Sequence, residues 1–486
     1  MNKLARNYVY NVSYQILVLI APLFTAPYLA RVLGADALGT SSYITTVSNV
    51  FTTIGMLGIQ NYSIRQIAYV KHDQRELKKE FSDILMTRFS LGIATTACYF
   101  VLIYVSDSRM LFLIQIFYVV AYFLDPCWFF IGMEDMGPVV ARNFAAKLAC
   151  VAGIFLFIKS EQDLYKYVFL LSITTLLPSL AAIPLLKRYG VLDGIKLPTI
   201  KTVKKHIRGS LHVFWPQVAT LIYLQTDKVL LKWFVSSSSV AFYDQAEKLV
   251  KIPLTLITAL STVMMPRLAA EYNTHNTEKI QSYLGGTIRF SMMLACPMML
   301  GIAGIAGTLI PWYLGDAFIP VTRAVRVLCP IIILSSLIGI SGDQYLVATE
   351  QTDYLTKSYV VAAIANVAID VISIPAIGIL GAAIGTLAAQ GISCVMQYNV
   401  MLRQVSVGKT IMDSLRYLLY SIPMLACVAC LEYYLPTTWV TTLMQISCGI
   451  LIYFIMLVIT RDTMLQLVFR KVKSITCLRS SKMKKE

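Results

Sequence analysis

The chain has 486 residues, of which 57% are apolar and 14% charged, against roughly 45–50% and about 25% for soluble domains. That balance excludes an ordinary water-soluble protein and matches about fourteen membrane spans of ~20 residues each. Lys and Arg number 42 against 26 Asp and Glu, a formal charge of +16, which points to nucleic acid or to an anionic membrane surface.

Apolar segments of spanning length fall near 8–30, 38–59, 84–105, 110–132, 138–158 and 164–186. The first follows Lys3 and Arg6 and resembles a signal peptide, but it runs too far for a cleaved one and is read as a membrane helix. After a basic stretch the spans resume near 211–235, 240–266, 287–313, 321–348, 357–378 and 381–402, then 414–435 and 439–460. The expected fold is an all-α integral membrane protein with about 14 transmembrane helices, in two six-helix lobes plus two C-terminal helices. Its parts are an N-lobe (1–186), a basic cytoplasmic linker (187–210), a C-lobe (211–403) and the last two helices with a basic tail (404–486). The linker reads either as a surface lever or as a plain connection.

With both termini inside, the inner loops and tails hold 31 basic residues and the outer side six. This is the positive-inside pattern. The basic excess is therefore topological and carries no nucleic-acid signature. A faint parallel repeat supports two related lobes. Arg31, Tyr43 and Ile64-Arg65-Gln66-Ile67-Ala68 are echoed by Lys232, Tyr243 and Pro266-Arg267-Leu268-Ala269-Ala270.

No motif for chemistry is found. Gly408-Lys409-Thr410 ends like a phosphate-binding loop but has Arg403 where the first glycine belongs. His72, His206, His212 and His275 lie in loops or at a span edge without a catalytic pattern. Nine of ten cysteines sit in apolar runs, and the Cys427/Cys430 spacing has no second pair, so neither metal nor cofactor is expected. The chain reads as a non-enzyme.

Ionisable groups inside spans are expensive and face a cavity or a partner. Lys147 stands about ten residues into the fifth span, ~15 Å deep; either Asp125 neutralises it or it meets an anionic ligand. Arg31 ends the first span, as a headgroup anchor or a site residue. Asp227, Lys228 and Lys232 lie late in the seventh span, and Asp244, Glu247, Lys248 and Lys251 early in the eighth. They form either a self-neutralised hairpin or an anion site with one positive charge to spare, suited to pyrophosphate. Asp370, one turn after Asn366, is either hydrogen-bonded to a neighbouring helix or takes up H+ or Na+.

Pro27-Tyr28-Leu29-Ala30-Arg31-Val32-Leu33-Gly34, Trp128-Phe129-Phe130-Ile131-Gly132-Met133-Glu134, Thr226-Asp227-Lys228-Val229-Leu230-Leu231 and Gly378-Ile379-Leu380-Gly381-Ala382-Ala383 resemble stretches of bacterial polysaccharide flippases. These are the O-antigen and capsule repeat-unit transporters of the multidrug/oligosaccharidyl-lipid/polysaccharide exporter superfamily. The resemblance implies two lobes that alternate access and an undecaprenyl-pyrophosphate-linked oligosaccharide as the lipid-linked substrate. It also implies a lipid tail left in the bilayer near the last two helices. It places the protein in the bacterial plasma membrane, with the polysaccharide polymerase and chain-length machinery as candidate partners and H+ or Na+ as candidate coupling ions. Arg31, Arg65, Asp227 and Lys228 match recurring charged positions, whereas Lys147, Lys248 and Lys251 rest on depth alone. Glutamine is usual where Ile131 stands. Rival readings are a drug or metabolite exporter of the same superfamily, a peptidoglycan-precursor flippase and a membrane polymerase; the last would need a sizeable outer loop, which the spans leave no room for.

Overall fold

A computed structural model describes residues 3–193, 195–196, 198–274 and 276–467. The basic tail beyond 467, including Cys477, and His275 lie outside the described residues. The described chain is helical: α1 (Lys3–Gly55), α2 (Ile59–Val70), α3 (Gln74–Val105), α4 (Arg109–Ile114), α5 (Ile116–Leu124), α6 (Cys127–Gly132), α7 (Gly137–Phe157), α8 (Leu164–Ala182) and α9 (Ile200–Phe234). There follow α10 (Ser237–Asn273), α11 (Thr277–Leu314), α12 (Pro320–Leu328), α13 (Ile331–Ile338), α14 (Thr352–Ile377), α15 (Ile379–Gln404), α16 (Gly408–Ser414), α17 (Arg416–Tyr434) and α18 (Trp439–Ile459).

Among the described residues, ten helical stretches are long and apolar enough to cross a membrane. The four further expected spans fall in α1, α9 and α10, so the count of fourteen goes beyond those ten. In α1 two expected spans join at Gly34, which adopts φ 75°, ψ 176°; a residue without Cβ takes that conformation at little steric cost. Many large apolar side chains face outward, among them Ile93, Leu156, Ile364, Ile372, Leu419 and Ile450. In water such a surface would aggregate, and in a bilayer it is solvated by acyl chains. This is a multi-pass membrane protein.

The expected linker is helical over its second half. Thr199 caps α9 by accepting from the Thr202 amide, and the helix then runs unbroken from Ile200 to Phe234. A capped start needs no further break, and the charged positions 201, 204, 205 and 208 all fit helical turns.

The chain divides into two compact units, residues 1–244 with 370–382, and 245–369 with 383–486. The first is built on an aromatic core. Phe81 stacks on Trp128 at 5.4 Å, Phe129 meets Phe81 edge-on at 5.1 Å, and Ile67, Leu77, Phe130 and Leu186 close around them. The Trp128-Phe129-Phe130 stretch is thus packing. The second unit centres on Leu284, Ile288, Met292, Leu346, Met401 and Tyr417, drawn from four helical segments.

Candidate functional site

In the first unit, Lys147 is the eleventh residue of the 21-residue α7, so it stands ~15 Å along the helix from its start. It is half-buried and lines a cavity of about 330 Å³ together with Asp125, Arg142, Asn143, Thr174 and Thr175. Asp125 does not neutralise it. That carboxylate is held by Arg142, whose Nη2 lies 2.6 Å from Oδ1 while Nη1 donates to the Pro178 carbonyl at 2.7 Å. Among the described residues Lys147 itself makes no ion pair or hydrogen bond. A primary ammonium beside amide and hydroxyl groups in a polar hollow is suited to an anion.

The hairpin between α9 and α10 is largely paired within itself. Lys228 Nζ lies 2.6 Å from Asp244 Oδ1, with the side chains 12% and 6% exposed, and Ser42 donates to Asp244 Oδ2 at 3.1 Å. Lys232 donates to Ser237 Oγ. Tyr243 Oη donates to Asp227 Oδ2 at 2.5 Å. In the second unit Lys251 binds Glu247 at 2.5 Å, one turn back on its own helix, while half-exposed. Lys248 is exposed. Lys228 is therefore occupied as a buried ion-pair partner, and the hairpin's spare positive charge is not presented by that residue.

Asp370 on α14 is fully buried near the carboxyl of Asp227, and among the described residues neither of its oxygens has a hydrogen-bond partner. Asn366, one turn earlier, is also fully buried, and neither of its amide atoms has a hydrogen-bond partner. Arg31 is exposed and donates to the Pro27 carbonyl at 3.4 Å. Arg65 is exposed on α2, away from Lys147's cavity lining. The structure thus places Lys147 in a cavity with polar neighbours, pairs Lys228 with Asp244 and buries Asp370 near Asp227. It does not bring Arg31 or Arg65 to the Lys147 cavity.

The second unit holds an apolar groove of about 480 Å³ between α11, α17 and α18, lined by Met293, Pro297, Ile305, Met424, Ile450 and Phe454 among others. It lies on the last two helices, where the lipid tail is expected.

Two features were not legible as functional in the sequence. Arg88, inside the expected span at 84–105, is fully buried: Nη1 donates to Gln60 at 2.7 Å, Nη2 to the Tyr122 carbonyl at 3.0 Å, and its guanidinium lies 5.7 Å from the Trp128 ring. His206, counted with a loop, is fully buried; burial holds its pKa below the ordinary value, against the opposing charge of Glu80. A basic residue or His near the start of an apolar run is the signal that marks such positions.

Comparison with known proteins places the chain in a family. A family model described as "Polysaccharide biosynthesis protein" matches residues 4–272 and another, "Lipid II flippase MurJ", residues 143–454. A Shigella dysenteriae protein named "Putative O-antigen transporter" is 25% identical over 71% of this chain and 86% of its own length. A Haloferax volcanii protein named "Probable low-salt glycan biosynthesis flippase Agl15" is 23% identical over 57% of each chain. Among solved structures, lipid II flippase MurJ in an inward closed conformation superposes with a TM-score of 0.73 at 17% identity, covering 93% of this chain and 99% of that one. An inward-facing multidrug-resistance MATE transporter superposes at 0.62 with 15% identity, covering 80% and 95%. These two likenesses establish a shared fold. Each family model covers more than half of the sequence, and the chain belongs to the polysaccharide biosynthesis protein family, as a flippase of the kind that includes MurJ.

Proposed function

We propose that this flippase turns undecaprenyl-pyrophosphate-linked oligosaccharide repeat units from the cytoplasmic to the outer leaflet of a bacterial plasma membrane, for surface polysaccharide synthesis. The observation that carries the reading is Lys147: an ammonium without a counter-ion among the described residues, halfway along a membrane helix, in a polar cavity of about 330 Å³. Holding an unpaired charge at that depth is costly unless a ligand of opposite sign occupies the cavity during the cycle. The pyrophosphate supplies that charge, and Asn143, Thr174 and Thr175 offer hydrogen bonds to it or to the first sugar. The isoprenoid tail rests in the apolar groove of α11, α17 and α18, whose lining carries little to satisfy a polar group. The lobes then exchange access between the two sides, with both termini in the cytoplasm, an orientation the 31-to-6 basic asymmetry supports. Asp227 with Asp370 takes up H+ or Na+: two carboxyls facing each other in a low-dielectric interior repel unless a proton or cation lies with them. Lys228, Lys232, Lys248 and Lys251 serve the hairpin rather than the pyrophosphate directly, and Arg31 and Arg65 act at the two entrances.

The test is reconstitution in liposomes with a polyprenyl-pyrophosphate-linked oligosaccharide in one leaflet, scored by exposure of the glycan to an externally added glycosidase. Protein-dependent exposure is expected, and it should be lost in Lys147→Gln that still inserts. Exposure no faster than in empty liposomes would overturn the proposal. Transport unaffected by collapse of either the H+ or the Na+ gradient would remove the coupling role of the carboxyls. A second reading, favoured by the MurJ match over residues 143–454, takes a peptidoglycan precursor as the substrate. It predicts that the protein rescues cells depleted of their own precursor flippase, whereas the preferred reading predicts loss of a dispensable surface polymer only.

A further inference from the structure

Near the start of α3, Glu80 and Asp83 lie three residues apart and so share a face of the helix. Opposite them stands His206 of α9, and one ligating atom from each of the three lies within 4.8 Å of the others. His206 is completely buried. Its Nδ1 lies 3.1 Å from Tyr62 Oη and 3.8 Å from Glu80 Oε1, while its Nε2 has no hydrogen-bond partner. Glu80 Oε1 is likewise buried without a hydrogen bond. The nearest cation to Glu80, Lys205, is only 4.0 Å from the other carboxylate oxygen, and its side chain is 68% exposed. His206 Nδ1, shared with Tyr62, lies on the side of the ring toward Glu80, and among the described residues Glu80 Oε1 and His206 Nε2 are buried without hydrogen bonds, so this buried corner has polar capacity to spare for an occupant.

We propose that Glu80, Asp83 and His206 form a binding site for a first-row divalent transition metal, with Zn2+ the best match to one imidazole and two carboxylates. Zn–N and Zn–O bonds of about 2.0–2.2 Å bring ligand atoms to roughly 3.5 Å from one another, so side-chain rotations of about 1 Å close the site. The fourth position opens toward the neighbouring cleft, to which Glu80 and Asp83 both contribute. Lys78, Lys79, Lys196 and Lys205 line the same cleft, and their charge keeps the affinity moderate and leaves the open position to water or a small anion. Bound metal staples α3 to α9 where the basic start of α9 begins.

The experiment uses tag-free, full-length protein in detergent, stripped by a chelator, with Zn2+ titrated calorimetrically and Co2+ followed by its electronic spectrum. One saturable site per chain is expected, with at least about tenfold weaker binding in the near-isosteric Glu80→Gln/Asp83→Asn variant and unchanged binding in Asp73→Asn/Glu76→Gln. Wild-type Co2+ protein should show no thiolate charge-transfer band, because none of the three ligands is a cysteine. That readout holds even if the substituted chain fails to fold. Absence of a saturable site, a thiolate band, or equal affinity in the Glu80/Asp83 variant would overturn the proposal.

Discussion

Gly39 offers the sharpest handle on the conformation described above. A Cβ built on it would sit 1.7 Å from the Ser237 carbonyl oxygen and 2.5 Å from that carbonyl carbon, with the Ala241 nitrogen at 3.1 Å. These are backbone atoms, which no rotamer change can move aside. Reaching an ordinary contact of ~3.2 Å requires α1 and the start of α10 to separate by about 1.5 Å, in a region where interiors are close-packed. That separation also strains the hydrogen bonds that tie the two elements: Thr40 to Ser237 Oγ at 3.1 Å, Ser238 to Asp36 at 2.5 Å and Ser42 to Asp244 at 3.1 Å. Overpacking of this kind costs about 1–3 kcal/mol, and every ~1.4 kcal/mol is a tenfold change in population. Gly39→Ala should therefore depopulate this conformation by about five- to 150-fold relative to one in which the elements stand apart. The assay is the initial rate of oxidative cross-linking in a Thr40→Cys/Ser237→Cys pair, with each single-cysteine chain as a control for the native thiols. The side-chain oxygens of these two residues are close enough for a disulfide after exchange. The rate should fall at least about fivefold when Gly39→Ala is added. An unchanged rate would refute the reasoning, since it would mean the helix contact yields without cost.

Removing one partner of the buried Lys228–Asp244 pair leaves an uncompensated charge, so Asp244→Asn should destabilise the protein by about 3–5 kcal/mol. The Lys228→Met/Asp244→Leu double variant should recover most of that loss, both read by thermal unfolding in detergent. Arg88→Met should lower stability by about 2–4 kcal/mol, because Gln60 and the Tyr122 carbonyl lose their charged donor; Arg88→Lys should recover little, a single ammonium being unable to reach both acceptors and the Trp128 ring. Gly301→Leu projects into the apolar groove, where only Met424 Cε comes within 4 Å of an added Cβ. Transport of a long-tailed substrate should fall several-fold while the melting temperature holds, and a variant with normal transport would clear the groove of a role in holding the tail.

The sequence carries the helical, multi-pass fold because that fold is written in long apolar runs, which need no knowledge of neighbours. It carries the depth of Lys147 for the same reason: a fixed rise per residue converts position into distance. It does not carry partner choice. Asp125 stands on the segment before α6, and only the packed structure reveals that Arg142, not Lys147, reaches it. Lys228 finds Asp244 across a turn, a pairing that competes with the one-turn spacing from Asp244 to Lys248 visible in the chain. The Trp128-Phe129-Phe130 stretch, read through resemblance, turns out to be the middle of an aromatic core, a distinction no local pattern makes. Glu80, Asp83 and His206 are more than a hundred residues apart at their widest, and their meeting depends on how α3 and α9 pack.

The unbroken run of α9 carries a mechanical implication. Its 35 residues measure ~52 Å at 1.5 Å per residue, well beyond the ~30 Å of a hydrocarbon core, so its basic first turns continue the same rod as the expected span at 211–235. A reorientation of only about 5° pivoted at Phe234 would sweep Ile200 through roughly 4–5 Å. Anionic lipids gripping Lys201, Lys204, Lys205 and Arg208 would thereby sense, and be able to resist, the angular motion of the segment that bears Asp227 and Lys228.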